Sequence, residues 1–388
     1  MDPDGKGLND HWSKTGQSLL TAVIIHCCYL IEIKEGRRAN LADISYFIAT
    51  PEKTREELFM EMLEYKHLGD EVHPLVAQEA QAMLNTEDKE LSSIISTARS
   101  FLTLYRDPVV AKNTRKSDFS IRDLMNNEQP ISLYLVVKPS DSDRLRPLIR
   151  LMLTQIVQML TQEMKFEDGK SVAHYKHRLL LMLDEFASLK RLSVIETALS
   201  FMAGYGIKAY LIVQDIQQIL KEYSREEGIL GNCHIRIAYS PNKVETAEVL
   251  SKMSGQTTIV RKQLTISGKR FGLMQGQSSE SLQEVQRPLI TADEVMRLPA
   301  PIKDSGDKIL KAGDMLVFAS GHAPIYGKQI LYFLDPTFSA RSKVLAPRRS
   351  DTLAKVSHEI TQEEDSVPQI YQVDKAQDTD TSAELKLA

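Results

Sequence analysis

LLLMLDEFASL, residues Leu179 to Leu189, is the stretch from which the rest of this chain is read. Five apolar residues, Leu179–Leu183, run straight into Asp184–Glu185. An uninterrupted apolar run of that length predicts a strand buried on both faces. In parallel α/β sheets ligands collect at the carboxyl ends of the strands. A carboxylate there can hold Mg²⁺, usually through water, because Mg²⁺ prefers hard oxygen donors and keeps its hydration. The next carboxylate points differently along the chain and can orient and activate an attacking water. A strand that simply ends in a solvated acidic turn has the same residues, and both readings stay open on this stretch alone.

Working outward, strand and helix patterns alternate. Ile131–Pro139 (ISLYLVVKP) predicts a buried strand, and Asp143 to about Met164 a long amphipathic helix. After the acid pair come LSVIETALSFMAGYG (helix), IKAYLIVQD (strand), IQQILKEYSREEGIL (helix), CHIRIAYSP (strand) and NKVETAEVLSKMSG (helix). Short links between alternating elements predict a parallel, doubly wound sheet flanked by helices. Gln214 stands at the carboxyl end of the next strand, where a neutral amide could contact a γ-phosphate or an attacking water; a plain polar strand end is the alternative. Beyond Gly255 the chain alternates, then enters a Gly-, Ser- and Gln-rich loop from Ser267 to about Ser281. ITADEVMRLP predicts a capped short helix, and AGDMLVFASGHAPIYGKQILYF a hairpin around Gly321–His322 or the following Ala323–Pro324.

Residues 11–125 carry helical periodicity without strand-like alternation, with Ser13 and Asn40 as cap candidates. They predict an all-α region of several short helices. The apolar run Thr21–Ile33 falls short of the ~20 residues that span a bilayer, and the polar opening MDPDGKGLNDHW is no signal peptide. Three cysteines among 388 residues give neither a disulfide framework nor a CxxC pair, which points to a reducing compartment. Cys27 and Cys28 are expected as buried helix residues. His174 and His177 lack a supporting acid or thiol cluster, so a solvated loop is the expectation there. Net charge is −4, but residues from Asp351 onward hold nine acids against three lysines, leaving +2 for the rest. Whole-chain charge therefore makes no case for nucleic acid, and the acidic, aromatic-poor tail is expected to be disordered.

A nucleotide site also needs a phosphate cradle, normally G-x-x-x-x-G-K-[ST]. None of the pairs Gly5–Lys6, Gly268–Lys269 and Gly327–Lys328 fits. Gly7 follows Gly5–Lys6, Gln263 stands where the first glycine should precede Gly268–Lys269, and Gln329 follows Gly327–Lys328. Tight ATP binding and ATP turnover by this chain alone are therefore not expected.

With HYKHRLLLMLDEFASL and GYGIKAYLIVQDIQQI, the sequence resembles the TraG-type coupling proteins of bacterial conjugation and type IV secretion. The likeness extends to DPDGKGL, HWSKTGQSLL, LYRDPVVAKNTRKSDF, NCHIRIAYSPNKVETAEVLSKMSG, EVQRPLITADEVMRLP and GDMLVFASGHAPIYGKQILYF. It implies a RecA-like P-loop NTPase core with an incomplete parallel sheet and an inserted all-α domain. The implied organisation is a linker over residues 1–10, an all-α substrate-recognition domain over 11–126, a motor domain over 127–346 and a tail over 347–388. The resemblance makes Asp184 the Walker B acid that holds Mg²⁺–ATP, Glu185 the catalytic base, and Gln214 the polar residue of the next strand. It implies a membrane-anchored hexameric ATPase at the cytoplasmic face of the bacterial inner membrane, although this chain contains no expected membrane segment. The implied partners are a relaxase–DNA complex or protein effectors, and the components of a secretion channel. The family's membrane helices and Walker A segment are expected upstream of this stretch. Where some relatives place an arginine before the GYGI-like turn, this sequence has Ala203; Lys208 or Arg225 could substitute. Arg144, Arg146 and Arg150, with Arg261, Lys262, Lys269 and Arg270, are candidates for salt-sensitive, non-specific DNA contact. A non-catalytic docking adaptor, or the remnant of a split gene, is the alternative reading.

Overall fold

Asp10 opens the first helix: its carboxylate accepts the Ser13 backbone N–H at 2.8 Å. Ser13, the expected cap, is instead the third residue of α1 (His11–Glu35), which closes on Gly36 in the left-handed conformation. The computed structural model describes residues 7–8, 10–167, 170–172, 175–223, 228–267 and 277–345. The expected tail over 347–388, most of the expected linker, His174 and the centre of the Gly/Ser/Gln loop lie outside them.

Capping boxes start α2 (Leu41–Ala49, capped by Asn40 as expected) and α3 (Arg55–Glu64, capped by Thr54). α4 (Pro74–Leu84), α5 (Asp88–Phe101) and α6 (Pro108–Asn113) complete a helical region around one apolar core. Leu19, Leu20, Val23, Phe59, Met62, Val76 and Ile94 form its buried centre. At Gly16 the helices approach closely: a β-carbon there would sit 3.3 Å from the Thr97 methyl of α5. By its length of 25 residues and the mean hydropathy of an 18-residue stretch within it (1.5) α1 could cross a membrane, so the run Thr21–Ile33 understated it. Here one face of α1 forms the core of the helical region. Cys27 lies in that core, but Cys28, expected to be buried beside it, is exposed.

α7 (Asp123–Asn126) leads to α8 (Ser142–Leu160), which joins two cores. Leu145 and Leu148 pack against the helical region, whereas Leu153, Ile156, Val157 and Leu160 belong to a second core. After a small hairpin of β1 (Lys165–Glu167) and β2 (Lys170–Val172) comes β3 (Leu179–Leu183). It pairs in parallel with β4 (Ile207–Leu211), Leu179 opposite Ile207 through Leu183 opposite Leu211. α9 (Ser193–Ala198) makes the crossover, and α10 (Ile216–Tyr223) and α11 (Gly228–Asn232) follow β4. The inward residues Leu181, Leu183 and Ile207 are buried, but Leu180 and Met182 on the opposite face are 54% and 61% exposed. The expectation of burial on both faces fails, because no described layer covers the second one.

Two further expectations are corrected. Ile131–Lys138 joins no ladder, and its Tyr134 and Val136 are 80% and 87% exposed. An apolar segment becomes a buried strand only where a neighbour supplies hydrogen bonds and a covering face, and the described residues supply neither. β5 (Ile235–Ala238) does not extend the parallel pair; it runs antiparallel to β10 (Asp314–Ala319). β10 forms the expected hairpin with β11 (Ile325–Lys328). A third core, with Ala247 and Leu250 of α12 (Val244–Ser254), Val295 of α13 (Ala292–Met296) and Leu316 and Phe318 of β10, lies on this sheet. β6 (Gln256–Ser267) and β7 (Gln277–Pro288) form a long antiparallel hairpin, so part of the expected loop from Ser267 to Ser281 is strand, and β8 (Ile302–Lys303) and β9 (Ile309–Lys311) pair as a short one.

Candidate functional site

The parallel ladder continues past the strand ends and turns the chain there. Ile212 N–H donates to the Leu183 carbonyl at 3.1 Å, and Phe186 N–H donates to the Ile212 carbonyl at 2.9 Å. Between these bonds the chain must turn sharply, and Glu185 takes φ 54°, ψ 45°. That left-handed conformation is uncommon for a residue with a β-carbon. Tertiary anchors hold it. Phe186 is fully buried and stacks on Tyr223 with ring centroids 5.6 Å apart. Tyr223 accepts the Leu192 N–H at 3.0 Å and donates to the Lys190 carbonyl at 3.3 Å. Burial pushes the Tyr223 phenol up to about 12, so it keeps its proton at neutral pH.

The same segment is gripped from α8. Arg146 donates to the Ser188 carbonyl at 3.0 Å, and Arg150 donates to the carbonyls of Leu189 and Arg191 at 2.7 and 2.8 Å. Lys190, a second residue at positive φ (60°), pairs with Glu222 at 3.0 Å. The turn bearing the two acids is therefore fixed from α8 on one side and α10 on the other.

Asp184 and Glu185 are both exposed. Gln214, three residues past the end of β4, donates its side-chain amide to Glu185 Oε1 at 2.6 Å. The structure thus brings the expected base and the expected amide together. No partner of Asp184 occurs among the described residues. Two solvent-facing carboxylates are hard oxygen donors of the kind that bind Mg²⁺ through its water shell, and in chemistry the donor set fits. No cluster of three or more His, Cys, Asp or Glu able to hold a metal by itself occurs among the described residues.

The arginine candidates are engaged elsewhere. Arg144 pairs with Asp107 at 2.7 Å and Asp141 at 3.2 Å, and Arg146 also pairs with Asp143. Arg146 and Arg150 are tied into the acid-bearing turn as described. Arg261 and Lys262 are exposed on β6, Ala203 is exposed before β4 and Lys208 on it, and Lys269, Arg270 and Arg225 lie outside the described residues. Sequence reasoning missed three residues at the same edge: Asp215, Lys243 and Thr246. The signal was available, since SPNKVET follows the next strand and strand carboxyl ends are where such sites gather.

The family model described as type IV secretory system conjugative DNA transfer matches residues 1–355. A conjugal transfer protein TraG from Escherichia coli is 50% identical over 360 residues, which is 92% of this chain and 56% of that protein. The chain thus spans little more than half the length of that relative. Among solved structures, the unbound bacterial conjugative coupling protein TrwBdeltaN70 superposes with a TM-score of 0.53 at 17% identity, covering 84% of this chain and 69% of that one. TrwB in complex with ADP and Mg²⁺ gives a TM-score of 0.52 at 15% identity, covering 88% and 71%. At these identities the two structures establish a shared fold.

Proposed function

Because the chain belongs to the family of type IV secretory system conjugative DNA transfer proteins, we propose that its strand-end cluster is the metal and water side of a nucleoside-triphosphate site in a conjugative coupling motor. One observation carries this reading: the Gln214 amide meets Glu185 at the ends of two adjacent parallel strands. Asp184 would hold Mg²⁺, Glu185 takes a proton from the attacking water, and Gln214 orients that carboxylate. Mg²⁺ when bound offsets charge on the phosphates. The αL turn at Glu185, fixed by Phe186 and by the arginines of α8, presents both acids outward at no further cost in ordering. The chain contains no G-x-x-x-x-G-K-[ST] sequence. The phosphate cradle therefore has to come from polypeptide outside it, a need consistent with a TraG relative of which this chain spans 56%.

The direct test is paramagnetic. Titrating Mn²⁺·ADP into the ¹⁵N-labelled chain should broaden the amides of Leu183 to Phe186 and Gln214, and Asp184→Asn should abolish the effect. Broadening confined to other acidic surface would sink the assignment. The isolated chain should show no ATPase activity above background; hydrolysis that Glu185→Gln abolishes would overturn the need for an external cradle.

On the wider scale we propose a coupling role within a hexameric, membrane-associated assembly. The helical region over 11–126 recruits a relaxase–DNA complex or effector, the residues over 127–346 drive its delivery to the secretion channel, and basic loops touch DNA phosphates. With Arg144, Arg146 and Arg150 in internal contacts, the β6–β7 hairpin is the stronger candidate for that contact. The absent phosphate loop favours a second reading, a docking adaptor without catalysis. Capture of a relaxase by the immobilised chain, unchanged by Glu185→Gln and by nucleotide, would favour the adaptor.

A further inference from the structure

Gln214 lies three residues beyond the last ladder pair of β4, on an irregular turn, yet its amide is aimed at one carboxylate oxygen. Its backbone N–H donates to Gln218 Oε1 at 3.2 Å, a contact with a mobile type of side chain. The stronger anchor is its neighbour. Asp215 Oδ1 accepts the Thr246 hydroxyl at 2.7 Å and the Gln217 N–H at 2.9 Å, and Asp215 Oδ2 pairs with Lys243 at 2.8 Å. Lys243 and Thr246 belong to the junction between β5 and α12, so one carboxylate ties two strand ends together. Burial alone would raise the Asp215 carboxyl, but the bonds from Lys243, Gln217 and Thr246 outweigh it and hold the group below its ordinary value. A depression of about 240 Å³, lined by Gln214, Asp215, Gln218, Asn242 and Lys243, opens beside the turn. An unfixed Gln214 would have room to swing away from Glu185.

We infer that Asp215, gripped by Lys243 and Thr246, is a positioning residue that aims the Gln214 amide at Glu185 and couples the β5–α12 junction to the acid pair. The role of this coupling in catalysis rests on the nucleotide-site reading above; the geometry itself does not. Drawing Lys243 away from Asp215 Oδ2 would release the turn that carries Gln214.

The readout is the Gln214 side-chain amide in NMR spectra of the full chain. Thr246→Val removes the hydroxyl at nearly constant shape, and Asp215→Asn removes the charge. In both, the two Gln214 Hε2 resonances should move toward free-glutamine values, with exchange faster by about fivefold, as expected for one lost hydrogen bond. Thr246→Ser and Lys243→Arg should restore the wild-type signal. Backbone shifts of Leu181, Leu183 and Ile207 report that the sheet is intact, and if Asp215→Asn unfolds the chain, Thr246→Val decides. An unchanged Gln214 signal in Thr246→Val and Asp215→Asn, with the sheet intact, overturns the inference. Failure of Mn²⁺·ADP to broaden Asp184 and Glu185 would instead count against the nucleotide-site reading and leave this result to stand or fall separately.

Discussion

Glu185 carries the sharpest conflict between local preference and position. A left-handed residue with a β-carbon is disfavoured by about 1–2 kcal/mol, and its charge faces solvent without packing. Glu185→Gly should therefore stabilise the chain by up to about 1 kcal/mol while destroying the carboxylate. Urea unfolding checks it, and a lower midpoint would mean that Glu185 contributes to folding. Phe186 is its opposite, since it is fully buried and stacked on Tyr223. Phe186→Ala should cost about 3–5 kcal/mol, with the loss visible first in the exchange of the Ile212 and Phe186 amides. Both residues stand in the quoted sequence, but only the ring's burial and the turn's φ say which one holds the fold and which one is held.

At the level of the element, β3 contrasts its two faces within five residues. Leu181→Ala on the buried face should cost about 2–5 kcal/mol, whereas Leu180→Thr and Met182→Thr on the exposed face should each stay within about 0.5 kcal/mol. Equal losses on the two faces, in a denaturant series, would mean that something covers the second face in solution. α1 carries a different device. His26 is fully buried, and its Nδ1 lies 2.9 Å from Nε2 of His67. Around it stand the Phe47 and Tyr65 rings, with Lys34 and Lys53 farther off and His73 beyond His67. Burial first, then His67 and the lysines, lowers the His26 pKa from 6.5 to about 3, and burial also lowers that of His67. The folded value lies below the unfolded one, so this stability is fully present above pH 6.5 and is lost as pH falls toward 3. His26 alone should remove about 2 kcal/mol between pH 6.5 and 5. Unfolding at stepped pH measures it, and His26→Phe should flatten the profile.

Across the whole molecule, α8 decides how the regions communicate. It packs Leu145 and Leu148 into the helical core and Leu153, Ile156, Val157 and Leu160 into the sheet core, while Arg146 and Arg150 grip the acid turn. Residues Met1–Val344 form one compact unit, and unfolding should be shared across it. Phe59→Ala, buried in the helical core, should speed exchange of the Leu181 and Ile207 amides as well as those of α1. Exchange confined to the helical region would show two independent units. The exposed Leu180, Met182 and Tyr210 make the bare face of β3 and β4 the expected place for dye binding or self-association.

The sequence by itself determined the local elements that rest on short-range patterns. These include the helices of residues 11–125, the Asn40 cap, the strand that ends in Asp184–Glu185, the strand before Gln214 and the hairpin at Gly321. It also carried the family, because LLLMLDEFASL and its flanks are long and specific. What needed more than one segment was not readable from it. Ile131–Lys138 has a strand's composition but no ladder, β5 pairs antiparallel, and one face of β3 is bare. Each depends on what lies alongside, and hydrogen-bond partners and covering layers come from distant sequence. The tertiary structure likewise decided that Arg146 and Arg150 brace the acid turn, and that Asp215, Lys243 and Thr246 aim Gln214. Those contacts close only when three strand ends meet.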